Sequence, residues 1–488
     1  MRSPANLRAF LTRVSVVAAG LLAEPMLAQA GPVEDARARL VERGRQIFMT
    51  ETFGGNGRTC ATCHPPSNNF TIDAKFIAKL PKRDPLFVAE FVPALKQLED
   101  SRLLRRSGLI LVHVDGFDQP PVARSVPHLL GLSQSISPDK GVGGGSPAIR
   151  QPFPRVHPLG WSADGGPGDG SLRQFAIGAV VQHFPKTLRR AAGKDFRLPT
   201  AAELEALEAF QLSLGRQEEY TINPRDPAAM VFRDAAVERG KVLFEDNPAR
   251  DGSLRHCSTC HARGGANDAA GNNRSLITGA ALDPMAPVCL TQGAVAGDGG
   301  FGSAPIQVLD GPSICGGTTP FEIVLRGTQE INSPSVVEAA DTAPLFHNNI
   351  AATIEDSVAF YASETFNRSS QGGGRAFVLS ATDVNDLGGF LRALNAVDNI
   401  RQVNVYIDQA LASDDDEAEA AVRLAIADTT DAIEVLSTGP IGLFTSTNPT
   451  ARLKTALARL RSYLKSGNPG LLGQAKVELA AARTLMLQ

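Results

Sequence analysis

The sequence predicts a mainly α-helical protein of two tandem, homologous-looking units with long loops, followed by a C-terminal helical appendage. Three observations predict it. A glycine-bearing helical segment, a loop and Cys-x-x-Cys-His occur twice, as "VERGRQIFMTETFGGNGRTCATCH" from Val41 and "VERGKVLFEDNPARDGSLRHCSTCH" from Val237. Apolar residues recur with helical spacing, and strand-like alternation is scarce outside "SGLILVHV" (107–114). Beyond about residue 398 the chain turns rich in Ala, Leu and charge, with helical periodicity and neither Cys nor His.

Taken in order, residues 1–30 read as an export signal. Arg2, Arg8 and Arg13 precede the short apolar run "VSVVAAGLLA", and "AQA" at 28–30 offers small residues for cleavage. That run is too short to span a bilayer comfortably, and no later segment is long and apolar enough to do so. The expected location is the periplasm or the exterior. The first unit is expected over 31–222, and "LPTAAELEALEAFQLSLGR" (198–216) reads as a helix near its end. Thr200 can cap it with Glu203 three residues on, and Leu204, Leu207, Phe210 and Leu214 share its spacing. "TINPRDP" (221–227) is the expected linker. The second unit, 223–397, closes with "SATDVNDLGGFLRALN" (380–395). Gly44 and Gly240 are expected at the ends of short amphipathic helices. The appendage, 398–488, is broken at Gly439-Pro440 and between Gly467 and Gly470.

The chain has 488 residues, 43% of them apolar and 20% charged, which suits a globular protein with more than one core. A formal net charge of −3 gives no electrostatic reason to expect nucleic acid as a partner. Four of the six cysteines lie in the two motifs. Cys289 and Cys315, in a Gly/Pro-rich region, are expected to pair as a disulfide in an oxidising compartment.

Cys60 and Cys63 stand three residues apart, so one helical turn points both sulfurs the same way. That spacing suits thioether bonds to the two vinyl groups of one haem, with His64 next in the chain to hold the iron. Cys257, Cys260 and His261 repeat the arrangement. Zinc or a disulfide is the plainer alternative, but a Cys₂His₂ zinc site needs four ligands and neither unit offers a partner pair. Two covalently bound haems c are therefore expected, and two haems make an electron path.

At these motifs the chain resembles the bacterial di-haem cytochrome c peroxidases and the related MauG-type enzymes, over most of residues 40–397. The most specific part is "TAPLFHNNIAATIEDSVAFY" (342–361), with "ARSVPHLLGL" (123–132) and "GWSADGG…SLRQFAIGAV" from Gly160 as weaker matches. The resemblance implies two cytochrome c-like haem domains, a reactive first haem and an electron-transfer second haem. It makes Tyr361 the distal ligand of the second iron and places His347 beside that haem. The residues agree locally: Thr353 can cap a helix with Asp356 three on, and Ile354, Val358 and Tyr361 share a face. A phenolate is a hard donor that favours ferric iron. Met285 is the rival ligand. Thr342 and Pro344 match positions whose backbone oxygens hold calcium in the family. The third ligand there, an Asn side chain, is Ser125 here, a poorer donor, so the resemblance allows calcium without requiring it.

Trp161, the sole tryptophan, matches a family residue that relays electrons between the haems; a buried anchor is its plainer role. On the open side of the first haem the family places a Gln and a Glu. Phe175 stands at the Gln here, Pro185 near the Glu, and Ala179 replaces a proline. Neither Phe nor Pro can move a proton, and His183 is the nearest titratable side chain. His128 and His157 are weaker candidates, also as a sixth ligand to the first haem. The expected function is peroxidase-type: hydrogen peroxide as oxidant, and a small redox protein or a protein substrate as electron donor. Phe175 also resembles the di-haem rubber oxygenases, which use O₂ on apolar substrates but give the second haem a His pair. A non-enzymatic electron-transfer cytochrome is the third reading.

Overall fold

The computed structural model describes residues 32–113, 117–118, 121–134, 171–217, 220–266, 275–276, 307–311, 321–325, 331–347, 349–369 and 371–488. The export segment, His157, Trp161, Met285, Cys289 and Cys315 lie outside them. The described chain is mainly helical. Helix α1 (Pro32–Thr50) leads to the short α2 (Cys60–Cys63), α3 (Ala74–Ile77), α4 (Val88–Phe91) and α5 (Ser101–Ser107). Strands β1 (Leu109–Val112) and β2 (Val122–Ser125) form an antiparallel ribbon, with Leu109 opposite Ser125. Helices α6 (Leu172–His183) and α7 (Ala201–Ser213) complete the first half.

The second half opens with α8 (Ala235–Glu245) and the ribbon of β3 (Asn247–Pro248) and β4 (Leu254–Arg255). Strands β5 (Ser275–Leu276), β6 (Gln307–Gly311), β7 (Phe321–Leu325) and β8 (Ile331–Asn332) pair as β5 with β8 and β6 with β7. Then come α9 (Ile354–Phe360), α10 (Glu364–Arg368), α11 (Ala381–Ala412), α12 (Asp415–Ser437), α13 (Pro449–Ser466) and α14 (Gly470–Met486). No helix of the described chain is long and apolar enough to cross a membrane.

Each half is organised by one helix crossing, α1 on α7 and α8 on α11. Gly44 and Gly240 sit within α1 and α8, not at their ends as expected, because that is where the backbones meet. A Cβ on Gly44 would lie 1.9 Å from the Ala206 carbonyl oxygen, and one on Gly240 2.0 Å from that of Asp386. One turn on from each glycine a phenylalanine packs against the opposite helix. Phe48 and Phe210 have ring centroids 5.2 Å apart, and Phe244 and Phe390 5.4 Å.

The expected caps are present. Thr200 Oγ1 accepts from Glu203 N–H while Glu203 Oε2 accepts from Thr200 N–H at 2.8 Å. Thr353 and Asp356 do the same for α9. The expected boundary at 398 falls inside α11, which is buried on all sides from Asp386 to Ile400. Residues beyond it share one core with the second half: Phe232 packs between Phe390 and Phe444, and the chain end docks on Phe232 through Leu487. The change in composition near 398 is not a break in the fold, because burial continues across it. Helix α12 also reaches the first half, where Glu434 pairs with Lys75.

The halves are stitched near residues 123–131 and 333–349. The Asn349 amide accepts from Ser125 N–H (3.1 Å) and donates to the Ala123 carbonyl (2.9 Å). Arg216, fully buried, donates its backbone N–H to the Leu130 carbonyl and its Nη2 to the Arg263 carbonyl.

The crossings make a direct expectation. Gly240→Ala drives a methyl into the Asp386 backbone and should lower unfolding stability by about 3 kcal/mol, the upper end of overpacking. Gly473→Ala, on the exposed side of α14 with nothing near its Cβ, should raise it by up to about 1 kcal/mol. Urea denaturation of the two variants checks both signs.

Candidate functional site

Both Cys-x-x-Cys-His segments open onto one cavity of about 720 Å³. In each, the histidine N–H closes the turn on the first cysteine's carbonyl, His64 on Cys60 and His261 on Cys257, both at 3.0 Å. The two cysteines and the histidine of each motif therefore share one wall of the cavity. None of the four cysteines is in a disulfide. Among the described residues no group of three or more His, Cys, Asp or Glu is arranged to hold a metal ion.

The chemistry of these donors fits haem attachment. Burial, helped by the neighbouring Cys63, pushes the Cys60 thiol up to about 12; burial puts Cys63 at about 11 and Cys257 at about 12. A thioether sulfur is uncharged and suits such a buried wall. His64 Nδ1 lies 2.8 Å from the Phe70 carbonyl, and His261 Nδ1 lies 2.9 Å from that of Pro334. A carbonyl only accepts, so each Nδ1 holds the proton and each Nε2 keeps its lone pair. Burial keeps both rings neutral, His64 down at about 4 and His261 lowered as well.

Tyr361 follows the last turn of α9 and lines the cavity at the second motif. Its ring sits in a phenylalanine box: Phe366 at 5.1 Å, Phe360 at 5.7 Å, Phe377 at 6.1 Å and Phe346 at 6.2 Å. Burial, then Cys260 and Cys257, pushes its phenol well above the ordinary value. In such a box a phenolate forms only against a cation. His347 is buried on the same cavity, next to Phe346. Thr342, Pro344 and Ser125 line it too. An amide does stand beside Ser125, but it comes from Asn349 and both its ends are engaged.

Around the first motif the opposite wall comes from α6 and the β1–β2 ribbon. Phe175, Ala179, Ile110 and Val112 supply apolar surface there, and His183, Gln182, Arg124 and His113 supply polar groups. Pro185 is off the lining; its carbonyl accepts from Asn56 Nδ2 at 3.1 Å. His128 is buried on the cavity. Its Nδ1 accepts from Leu130 N–H (3.1 Å), so Nε2 carries the proton and offers a donor where an iron ligand needs a lone pair. Burial, then His64, lowers it to about 3.

Sequence reasoning missed a buried charge pair beside this wall. Arg58 Nη1 donates to Glu99 Oε1 at 2.8 Å, with side-chain exposures of 1% and 0%. Arg58 also donates to the carbonyls of Pro85 (3.2 Å) and Leu86 (2.7 Å), and Glu99 Oε2 accepts from Leu111 N–H at 2.8 Å. Arg58 stands two residues before Cys60, which was a visible signal; its partner, far along the chain, left none.

No family model matches the chain, and no curated protein matches it. Among solved structures it is similar to one described as Kuenenia stuttgartiensis hydrazine synthase pressurised with 20 bar xenon, at 17% identity and a TM-score of 0.37, over 78% of this chain and 99% of that chain. A likeness of that size carries no argument about family or function.

The Arg58–Glu99 pair generates a test. Burial raises the Glu99 carboxyl, but Arg58 and then His183 outweigh it, and the net direction is down. A lowered folded-state value stabilises the fold above the ordinary carboxylate range, near pH 4.3, and that contribution is lost as pH falls through the lowered value. Arg58→Met leaves the carboxylate buried and uncompensated, at a cost of about 3–5 kcal/mol near pH 7. With Arg58 gone, burial is opposed mainly by His183, so the Glu99 value rises and the variant's deficit should shrink on acidification from pH 7 to 5. Denaturation curves across that range check the sign.

Proposed function

We propose that the chain is an exported di-haem c-type oxidoreductase of the peroxidase type, similar to the bacterial di-haem cytochrome c peroxidases and MauG-type enzymes. Residues 31–222 and 223–397 would be tandem cytochrome c-like units, acting in the periplasm or outside the cell. The observation that carries the reading is the pairing of two Cys-x-x-Cys-His turns on one cavity, each histidine with Nδ1 spent on a carbonyl.

Cys60 and Cys63 would attach the first haem and His64 hold its iron; Cys257 and Cys260 would attach the second, with His261 and Tyr361 as its ligands. Bound haem iron supplies the redox chemistry: hydrogen peroxide takes up two electrons and two protons to give two waters. The chain's own work is to seal, orient and move protons. Phe175, Ala179 and Val112 keep bulk water from the first site. His183 Nε2 takes a proton from one peroxide oxygen and returns it to the other, which leaves as water. The phenylalanine box holds Tyr361 in one orientation and desolvates it. Electrons come from a small redox protein or a protein substrate.

The apolar wall of Phe175, Ala179, Ile110 and Val112 favours a second reading, O₂ chemistry on an apolar substrate. Purified protein should carry two porphyrins by mass, and one after Cys257→Ser with Cys260→Ser. Tyr361→Phe should change the visible and EPR spectra of one haem only. Peroxide should be consumed with oxidation of a reduced small cytochrome. A chain with no bound porphyrin ends the proposal, and a stable O₂ complex without peroxide turnover turns it to the second reading.

A further inference from the structure

We propose that Glu99, held by Arg58, is a positioning residue that fixes the His183 imidazole with Nδ1–H toward the buried carboxylate and Nε2 toward the cavity. The inference deepens the peroxidase-type reading and rests on it for the use of the open iron.

His183 ends α6 and its side chain is 12% exposed on the cavity wall. Its Nδ1 lies 3.8 Å from Glu99 Oε1, the oxygen that also receives Arg58. This is ion-pair distance, longer than a hydrogen bond; catalytic hydrogen bonds are often long before ligand arrives and tighten in the complex. A carboxylate only accepts, so it selects the tautomer with the proton on Nδ1 and leaves the Nε2 lone pair for the cavity. The carboxylate cannot turn away, because Arg58 Nη1 and Leu111 N–H hold its two oxygens. Nor can the ring's backbone drift. Asn56 Nδ2 donates to the His183 carbonyl (2.9 Å), and Asn56 N–H donates to that of Phe184 (2.9 Å). A Cβ on Gly55 would lie 2.1 Å from the Phe184 oxygen. The same loop therefore delivers Cys60 to one wall and clamps His183 on the other.

Other charged groups act on this dyad. His183 acts on His64, and Arg190 feels the Glu99 charge. Neither is hydrogen-bonded to the Glu99 carboxylate or the His183 ring, so Glu99 and Arg58 set the orientation.

Cyanide tests this apart from turnover, because HCN must give up a proton as it binds ferric haem. In the haem-loaded protein, stopped-flow cyanide association should slow on the order of 10²-fold in Glu99→Gln, the scale of one acid–base group. His183→Ala should slow it equally, and the two changes together should cost no more than either. Glu99→Asp should recover most of the rate, which a merely structural role would not restore. The Soret position before cyanide should stay unchanged. If Glu99→Gln does not fold, Arg58→Gln with Glu99→Gln removes both charges and is expected to show the same slowing. Wild-type rates in the Glu99 variants alongside a slow His183→Ala overturn the positioning role. Unchanged rates in all of them overturn His183 as the base. A wild-type protein with two haems that binds no cyanide has no open iron, which overturns the peroxidase-type reading and this proposal with it.

Discussion

Two backbone contacts organise the molecule: Gly44 on Ala206 and Gly240 on Asp386. Helices that meet through a glycine come closer than side chains otherwise permit, and the direction in which each glycine helix ends is then no longer free. The aromatic pair one turn further on repeats in both halves with nearly the same spacing and tilt. Because the crossing repeats, the loop leaving each glycine helix sets off from the same place relative to its partner helix. Each loop then delivers its cysteine turn to the shared cavity. A second helix pair was needed to build the second site, and the duplicated motif records it.

Beyond the crossings the halves diverge, and the divergence falls on the walls facing the motifs. The first wall mixes apolar side chains with polar ones, among them His183, which is backed by a buried charge pair. The second closes around a phenol in a box of phenylalanines. One wall carries a half-buried imidazole beside a carboxylate; the other buries a phenol among aromatic rings. The cores differ accordingly. The first half divides its apolar residues among three clusters, while most of the second half shares one large core with the C-terminal helices, beside the phenylalanine box.

The caps at Thr200 and Thr353 were legible because a capping box is written within four residues. The motif pair was legible for the same reason. What stayed hidden depended on distance along the chain. Gly44 reads as a helix end when only its own neighbours are considered, since nothing local announces a helix pressing on it. The break at 398 was drawn from composition, yet Asp398 and Asn399 are buried, and polar residues inside α11 are satisfied by partners such as Tyr220 and Asp431. Arg58 and Glu99 carry no shared pattern at all.

That last pair is informative because of its cost. Two charges removed from water lose several kcal/mol of hydration each, and well-packed apolar replacements often do as well or better for stability. A buried pair is therefore weak evidence of a stabilising role. Here the carboxylate is fully engaged: Oε1 faces Arg58 and His183, and Oε2 takes the Leu111 N–H. A network with every acceptor used is rigid, and it costs no reorganisation when a neighbouring group changes charge. Its position, behind a titratable side chain that lines the cavity, is where a fixed carboxylate can hold that ring in one orientation. A charge pair placed for stability alone had no reason to stand there.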